Sequence, residues 1–123
     1  MGLIALVRVY DWDDAGDRPG FLVERLWPRG VRRSDLRSTE WFKDVAPSDD
    51  LRRWFGHEPE KWDEFRRRYF AELDRHPQAW RPLCDAAAAG DITLLYSSRD
   101  GEHNNAVALR DYVLARLRDT GPV

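Results

Sequence analysis

Hydrophobic positions in this chain recur first with a period of two and later with a period of three to four. Residues 3–10 are a short apolar run with β-branched members and Arg8, followed by an acidic stretch, Asp11 to Gly20, punctuated by Gly and Pro. The run reads as a first strand and the stretch as a loop. Phe21 to Trp27 alternates as a second strand, with Phe21, Val23, Arg25 and Trp27 on one face and Leu22, Glu24 and Leu26 on the other. Pro28 ends it, having no amide hydrogen to donate. The loop between these strands is too short for an ordinary crossover helix, so a hairpin is the simpler expectation and an extended crossover the alternative. Residues 40–46 give a weaker pattern for a third strand.

The helical period begins after Pro47. Ser48 can cap the amides two or three residues on, Asp49 and Asp50 sit in the first turn, Leu51, Trp54 and Phe55 turn inward, and Gly56 stops the helix. A second helix from Pro59 carries Trp62, Phe65, Tyr69 and Leu73 inward. Its outer Arg66-Arg67-Arg68 has Glu64 and Glu72 each four residues from Arg68, the ordinary pairing of a solvated face. A third helix over 78–89 places Trp80, Leu83, Cys84 and Ala87 on one stripe, where Cys84 reads as a small buried apolar residue. Asp91 to Tyr96 is apolar on both faces and predicts a central strand. The last helix faces Ala106, Leu109, Val113 and Leu117 inward. This order predicts an α/β fold, a small central sheet of about three to four strands packed by helices, in one domain over 1–123.

Composition narrows the class. No apolar stretch approaches the roughly 18 residues of a membrane span. The N-terminus lacks a basic region before its apolar run, so it reads as a strand and not as an export signal. One cysteine excludes an internal disulfide and makes the cytoplasm the natural expectation. Six Trp are spread along the chain, the pattern of a core built from large rings. All basic residues but Lys43 and Lys61 are Arg, and a net charge of −2 argues against a polycation that coats nucleic acid.

Candidate chemistry gathers at two strand ends. The polar loop after Tyr96, with Ser97, Ser98, Arg99, Asp100, His103 and Asn104, leads into a helix whose free amides and dipole favour an anion. Asn104 or Asp100 is the expected cap, and capping alone would account for these residues without a ligand. Arg25-Leu26-Trp27-Pro28-Arg29-Gly30 ends the second strand, and Arg25 needs either an anion or an internal acid such as Asp35, Glu24 or Asp100. Residues 25–37 carry five Arg against Asp35 and form the one strongly basic segment. His57 and His103 are the candidates for proton chemistry, although His57 in a tight interhelix turn equally fits a structural role. His76 reads as exposed. No metal signature, Walker loop, dinucleotide fingerprint or nucleophile elbow is present, so no metal or cofactor is expected.

Arg25-Leu26-Trp27-Pro28-Arg29-Gly30, Ala46-Pro47-Ser48, Leu51 through His57, the helix with Trp62, Phe65, Tyr69, Glu72 and Leu73, and the block from Leu94 through Ala106 occur here in an order that resembles the YeaO-like group within the domain of unknown function 488. The resemblance covers residues 4 to about 117 and implies an α/β fold with no assigned activity. Its more distant members carry Cys and a Cys-His-Arg run near the last strand and helix, where this chain has Tyr96 and His103-Asn104-Asn105, so a thiol mechanism does not carry over. The expectation is a rim that binds a small anion, a phosphorylated metabolite or nucleotide. Arg25, Trp27, Arg29, Ser98, Arg99, Asp100 and Asn104 would bind it, and His57 or His103 would move a proton. A nucleic-acid interface at 25–37 and a protein-interaction surface anchored by Trp27 and Trp41 are the alternatives.

Overall fold

A computed structural model describes residues 2–14, 16 and 18–119. Four strands, β1 (Ile4–Arg8), β2 (Gly20–Leu22), β3 (Thr39–Trp41) and β4 (Ile92–Tyr96), form one sheet in the order β1-β4-β2-β3. Every pairing is parallel. The hairpin expected of the first two strands does not form, because β4 lies between them and pairs Leu94 with both Leu6 and Phe21. The segment after β1 is an extended crossover that includes a single turn of 3-10 helix at Val9–Asp11. Gly20 opens β2 beneath the indole of Trp12, which would stand 2.7 Å from a Cβ there.

All five residues of β4 are buried, as its two-faced apolar pattern predicts. Ile92, Leu94 and Tyr96 join Ile4, Phe21 and Val23 in the larger core beneath the helices. Leu95 and Leu22 face the opposite side, where Val9, Leu36 and the half-buried rings of Trp12, Trp27 and Trp41 cover the sheet with loops. The core therefore has two layers, with helices on one face of the sheet and an irregular aromatic cover on the other.

The helices follow their sequence signals closely. Helix α1 (Asp49–Phe55) starts where Ser48 Oγ accepts from the Leu51 amide at 3.2 Å, and it stops at Gly56 in the left-handed region, φ 55°. Helix α2 (Trp62–Asp74) follows a 3-10 turn at Pro59–Lys61 and buries Phe65, Tyr69 and Leu73. Helix α3 (Pro77–Ala89) buries Leu83 and Ala87. Helix α4 (Asn105–Asp119) buries Ala106, Leu109 and Val113, with Ala108 and Tyr112 added. On α2, Glu64 receives Arg67 and Arg68, which together hold its carboxyl down to about 2. Glu72 does not pair with Arg68 as expected. Its two oxygens instead accept from the Ser48 amide and hydroxyl at 2.9 and 2.6 Å, docking the start of α1 on α2.

Other expectations are corrected. The six Trp are all partly exposed, and the largest fully buried side chains are Tyr69, Tyr112 and Phe65, so the indoles rim the core. The third strand covers Thr39–Trp41, and Lys43–Val45 turns as a 3-10 helix. The second strand stops at Leu22, five residues short of Trp27. The Val23 amide still donates to Leu95 O at 3.1 Å, but from there side chains replace strand partners. Asn105 Nδ2 donates to Val23 O at 2.6 Å and Trp41 Nε1 to Glu24 O at 2.6 Å. Trp27 consequently falls on the opposite side of the sheet from Phe21 and Val23.

Candidate functional site

Because β2 and β4 run parallel, the segments that leave their carboxyl ends share one edge of the sheet. Between them lies a hollow of about 520 Å³, the size range of small-molecule sites. Arg25, Trp27 and Arg29 line it from the β2 side, and Ser98, His103 and Asn104 from the β4 side. His57, from the turn after α1, completes the expected set. Arg99, which is exposed, and Asp100 are not among the lining residues.

The turn before α4 is held by Asp100. Its Oδ1 accepts from the amides of Glu102 and His103 at 2.9 and 3.0 Å, and its Oδ2 lies 3.0 Å from His103 Nδ1. The two amides and the imidazole hold this carboxyl below the usual carboxylate range. The amides expected to cradle an external anion are thus taken by the protein's own carboxylate. Ser98 Oγ accepts from the Asp100 amide, and Asn104 caps α4 by accepting from the Val107 amide at 3.1 Å while donating to Asp100 O at 2.8 Å. Asp100 therefore positions His103, whose ring also meets the edge of Trp62 at 5.4 Å between centroids.

The arginines divide into three situations. Arg25 finds none of its three expected acids. It donates from Nε to Pro47 O and from Nη2 to Ala46 O, both at 3.0 Å, with Asp49 at 4.0 Å. Arg52, a lining residue absent from the sequence reading, reaches the same Asp49 at 3.5 Å. Arg29 is exposed, and among the described residues its guanidinium makes no hydrogen bond or ion pair. Only its carbonyl is engaged, accepting from Tyr10 Oη at 2.8 Å. Of the remaining basic segment, Arg33 lies 4.1 Å over the Trp27 ring and 5.2 Å from that of Trp41, while Arg32 and Arg37 are exposed. Trp27 also donates from Nε1 to Val31 O at 2.7 Å and packs edge-on against Trp41. Both rings are thereby engaged within the fold.

Glu24 was seen in the sequence only as a possible partner for Arg25. Its Oε1 accepts from the Ser97 amide at 2.8 Å and the Ser97 hydroxyl at 3.1 Å, which ties the ends of β2 and β4 together. Burial raises its carboxyl above the ordinary value, an effect that the Ser97 hydrogen bonds and the charges of Arg52 and His57 oppose. The signal for it was an acid alternating with Leu22 and Leu26 on one face of a predicted strand. His57 follows Gly56 with φ 59°, the one non-glycine positive φ among the described residues. Cys84 is half-buried and its thiol is pushed up by burial, the state of an unreactive cysteine. No cluster of three or more His, Cys, Asp or Glu among the described residues could hold a metal, and no helix there is long and apolar enough to cross a membrane.

Comparison with known proteins agrees with the motifs. Residues 3–121 match the family described as "Inactive DUF488-N3 subclade". The chain is 42% identical over 106 residues to "Uncharacterized protein YeaO" of Escherichia coli (strain K12), which spans 86% of this chain and 92% of the relative. It is 49% identical over 70 residues to uncharacterized proteins of Mycobacterium tuberculosis (strain ATCC 25618 / H37Rv) and Mycobacterium bovis, covering 57% of this chain and 59% of each relative. No solved structure matches. With the Arg25–Gly30 motif and the turn before α4 brought to one hollow, and with the match running almost end to end, the chain belongs to the YeaO-like proteins of the DUF488 family.

Proposed function

We propose that the hollow at the carboxyl edge of β2 and β4 binds a small molecule through an anionic group, a phosphorylated metabolite or nucleotide being the class that suits its size. The observation that carries this reading is Arg29: an exposed guanidinium at the mouth of a concave site, with no acidic partner among the described residues. Guanidinium offers forked donors that match phosphate and carboxylate. Arg52 and His57 add exposed basic groups on the facing wall, and Ser98 keeps its hydroxyl hydrogen while accepting from Asp100.

The family's description as an inactive subclade favours binding without turnover. His103, held through Nδ1 by Asp100, then offers its other ring nitrogen to the ligand as a hydrogen-bonding group. Isothermal titration with a panel of nucleotides and sugar phosphates tests the reading. A binder is expected in the panel, and Arg29→Ala should weaken it by about tenfold, the value of one charge-assisted contact. No heat with any member, or affinity unaltered by Arg29→Ala, refutes it.

A further inference from the structure

The hollow contains a feature that an anion alone does not explain. Its lining includes the exposed Arg29, Arg52 and His57 and also the half-buried Glu24, which contributes a carboxylate. Both donors from Ser97 go to Oε1 of Glu24. Among the described residues Oε2 accepts no hydrogen bond, and no cation lies within ion-pair distance of Glu24. A half-buried carboxylate oxygen without a protein donor is free to accept from a guest, and a purely anionic guest beside it would be repelled.

We propose that Glu24 sets the selectivity of the hollow by accepting, at Oε2, a hydrogen bond from an amino group of the ligand. The occupant is then an aminated anion, one molecule that carries a phosphate or carboxylate for the guanidinium groups and an N–H donor for the carboxylate. This rests on the anion-binding reading above and narrows it. The lining carries both signs: basic groups that are exposed, and an acid that is half-buried. A single-headed phosphate engages only the basic part. A ligand lacking the donor leaves the Glu24 acceptor without a partner from the guest, and that difference sets the selectivity.

Matched probes separate the two claims. The full chain is titrated calorimetrically with phosphoethanolamine against ethyl phosphate, adenosine monophosphate against purine riboside monophosphate, and β-alanine against propionate. Each pair differs by one amino group, and the third replaces phosphate by carboxylate. In at least one pair the aminated member is expected to bind about tenfold tighter, the scale of a hydrogen bond to a charged group. The isosteric Glu24→Gln variant keeps an acceptor for Ser97 and should remove that advantage, whereas Arg29→Ala should weaken both members of the pair alike. A thermal melt confirms that each variant is folded. Equal binding of the members in every pair, or an advantage that survives Glu24→Gln, overturns the role of Glu24 and leaves anion binding standing. Failure of all six probes overturns both.

Discussion

Replacing Asn104 by Ala tests how the hollow is held together. Asn104 is 3% exposed and its amide works in two directions, accepting from the Val107 amide at 3.1 Å and donating to Asp100 O at 2.8 Å. Loss of a helix cap costs about 1 kcal/mol. Leaving the Asp100 carbonyl without its donor costs about 1 kcal/mol more, since Asp100 is only partly buried and water can replace some of the contact. The sum, about 2 kcal/mol, corresponds to a fall of about 8 °C in melting temperature for a chain of this size. Asn104→Ser restores a cap oxygen without the donor and should recover about half of the loss. Thermal melts followed by circular dichroism measure both. An Ala variant that melts within about 2 °C of the parent, or a Ser variant no better than Ala, would refute the two-way bracing.

Three further substitutions probe separate parts of the argument. Burial raises the Glu24 carboxyl in the folded state, so the folded protein holds that proton more tightly than the unfolded chain. Its contribution is full below the ordinary value of 4.5 and is lost as pH rises through the folded value. Glu24→Gln should therefore raise the melting temperature at neutral pH and confer less advantage near pH 4, and a loss at neutral pH would contradict this. His57 holds φ 59°, a conformation that glycine adopts without strain, so His57→Gly should gain about 0.5 kcal/mol in urea unfolding; a loss would mean that the imidazole is fixed by packing on Phe55. Tyr69 is fully buried and donates to Val45 O, so Tyr69→Phe strands a buried carbonyl and should cost about 1–3 kcal/mol in the same assay, with no change refuting the bond.

What could be read from the sequence was what neighbouring residues determine among themselves. Ser48, Gly56 and the stripe of Phe65, Tyr69 and Leu73 act within one or two helical turns, and each does in the fold what its spacing indicates. Misreadings occurred where a distant side chain intervened. The second strand looks continuous to Trp27, but Asn105 and Trp41, far along the chain, take the carbonyls of Val23 and Glu24. Asp100 looked like a ligand contact, yet its carboxylate fills the nest of amides that it helps to form. Glu24 was hidden for a related reason: its partner is Ser97, 73 residues away.

Strand direction explains why most of the expected site residues, though not Arg99 and Asp100, line one hollow although the expected hairpin does not form. Had β2 run antiparallel to β4, the Arg25–Gly30 segment and the turn before α4 would have left the sheet at opposite edges. The parallel register of Phe21 with Leu94 and Leu22 with Leu95 sends both out of the same edge, and Glu24 joins them through Ser97 one residue beyond β4. The hollow thus depends on the extended crossover after β1, which leaves room for β4 to enter between β1 and β2. Its basic and acidic lining residues come from segments that meet at one sheet edge only because that crossover replaces a turn.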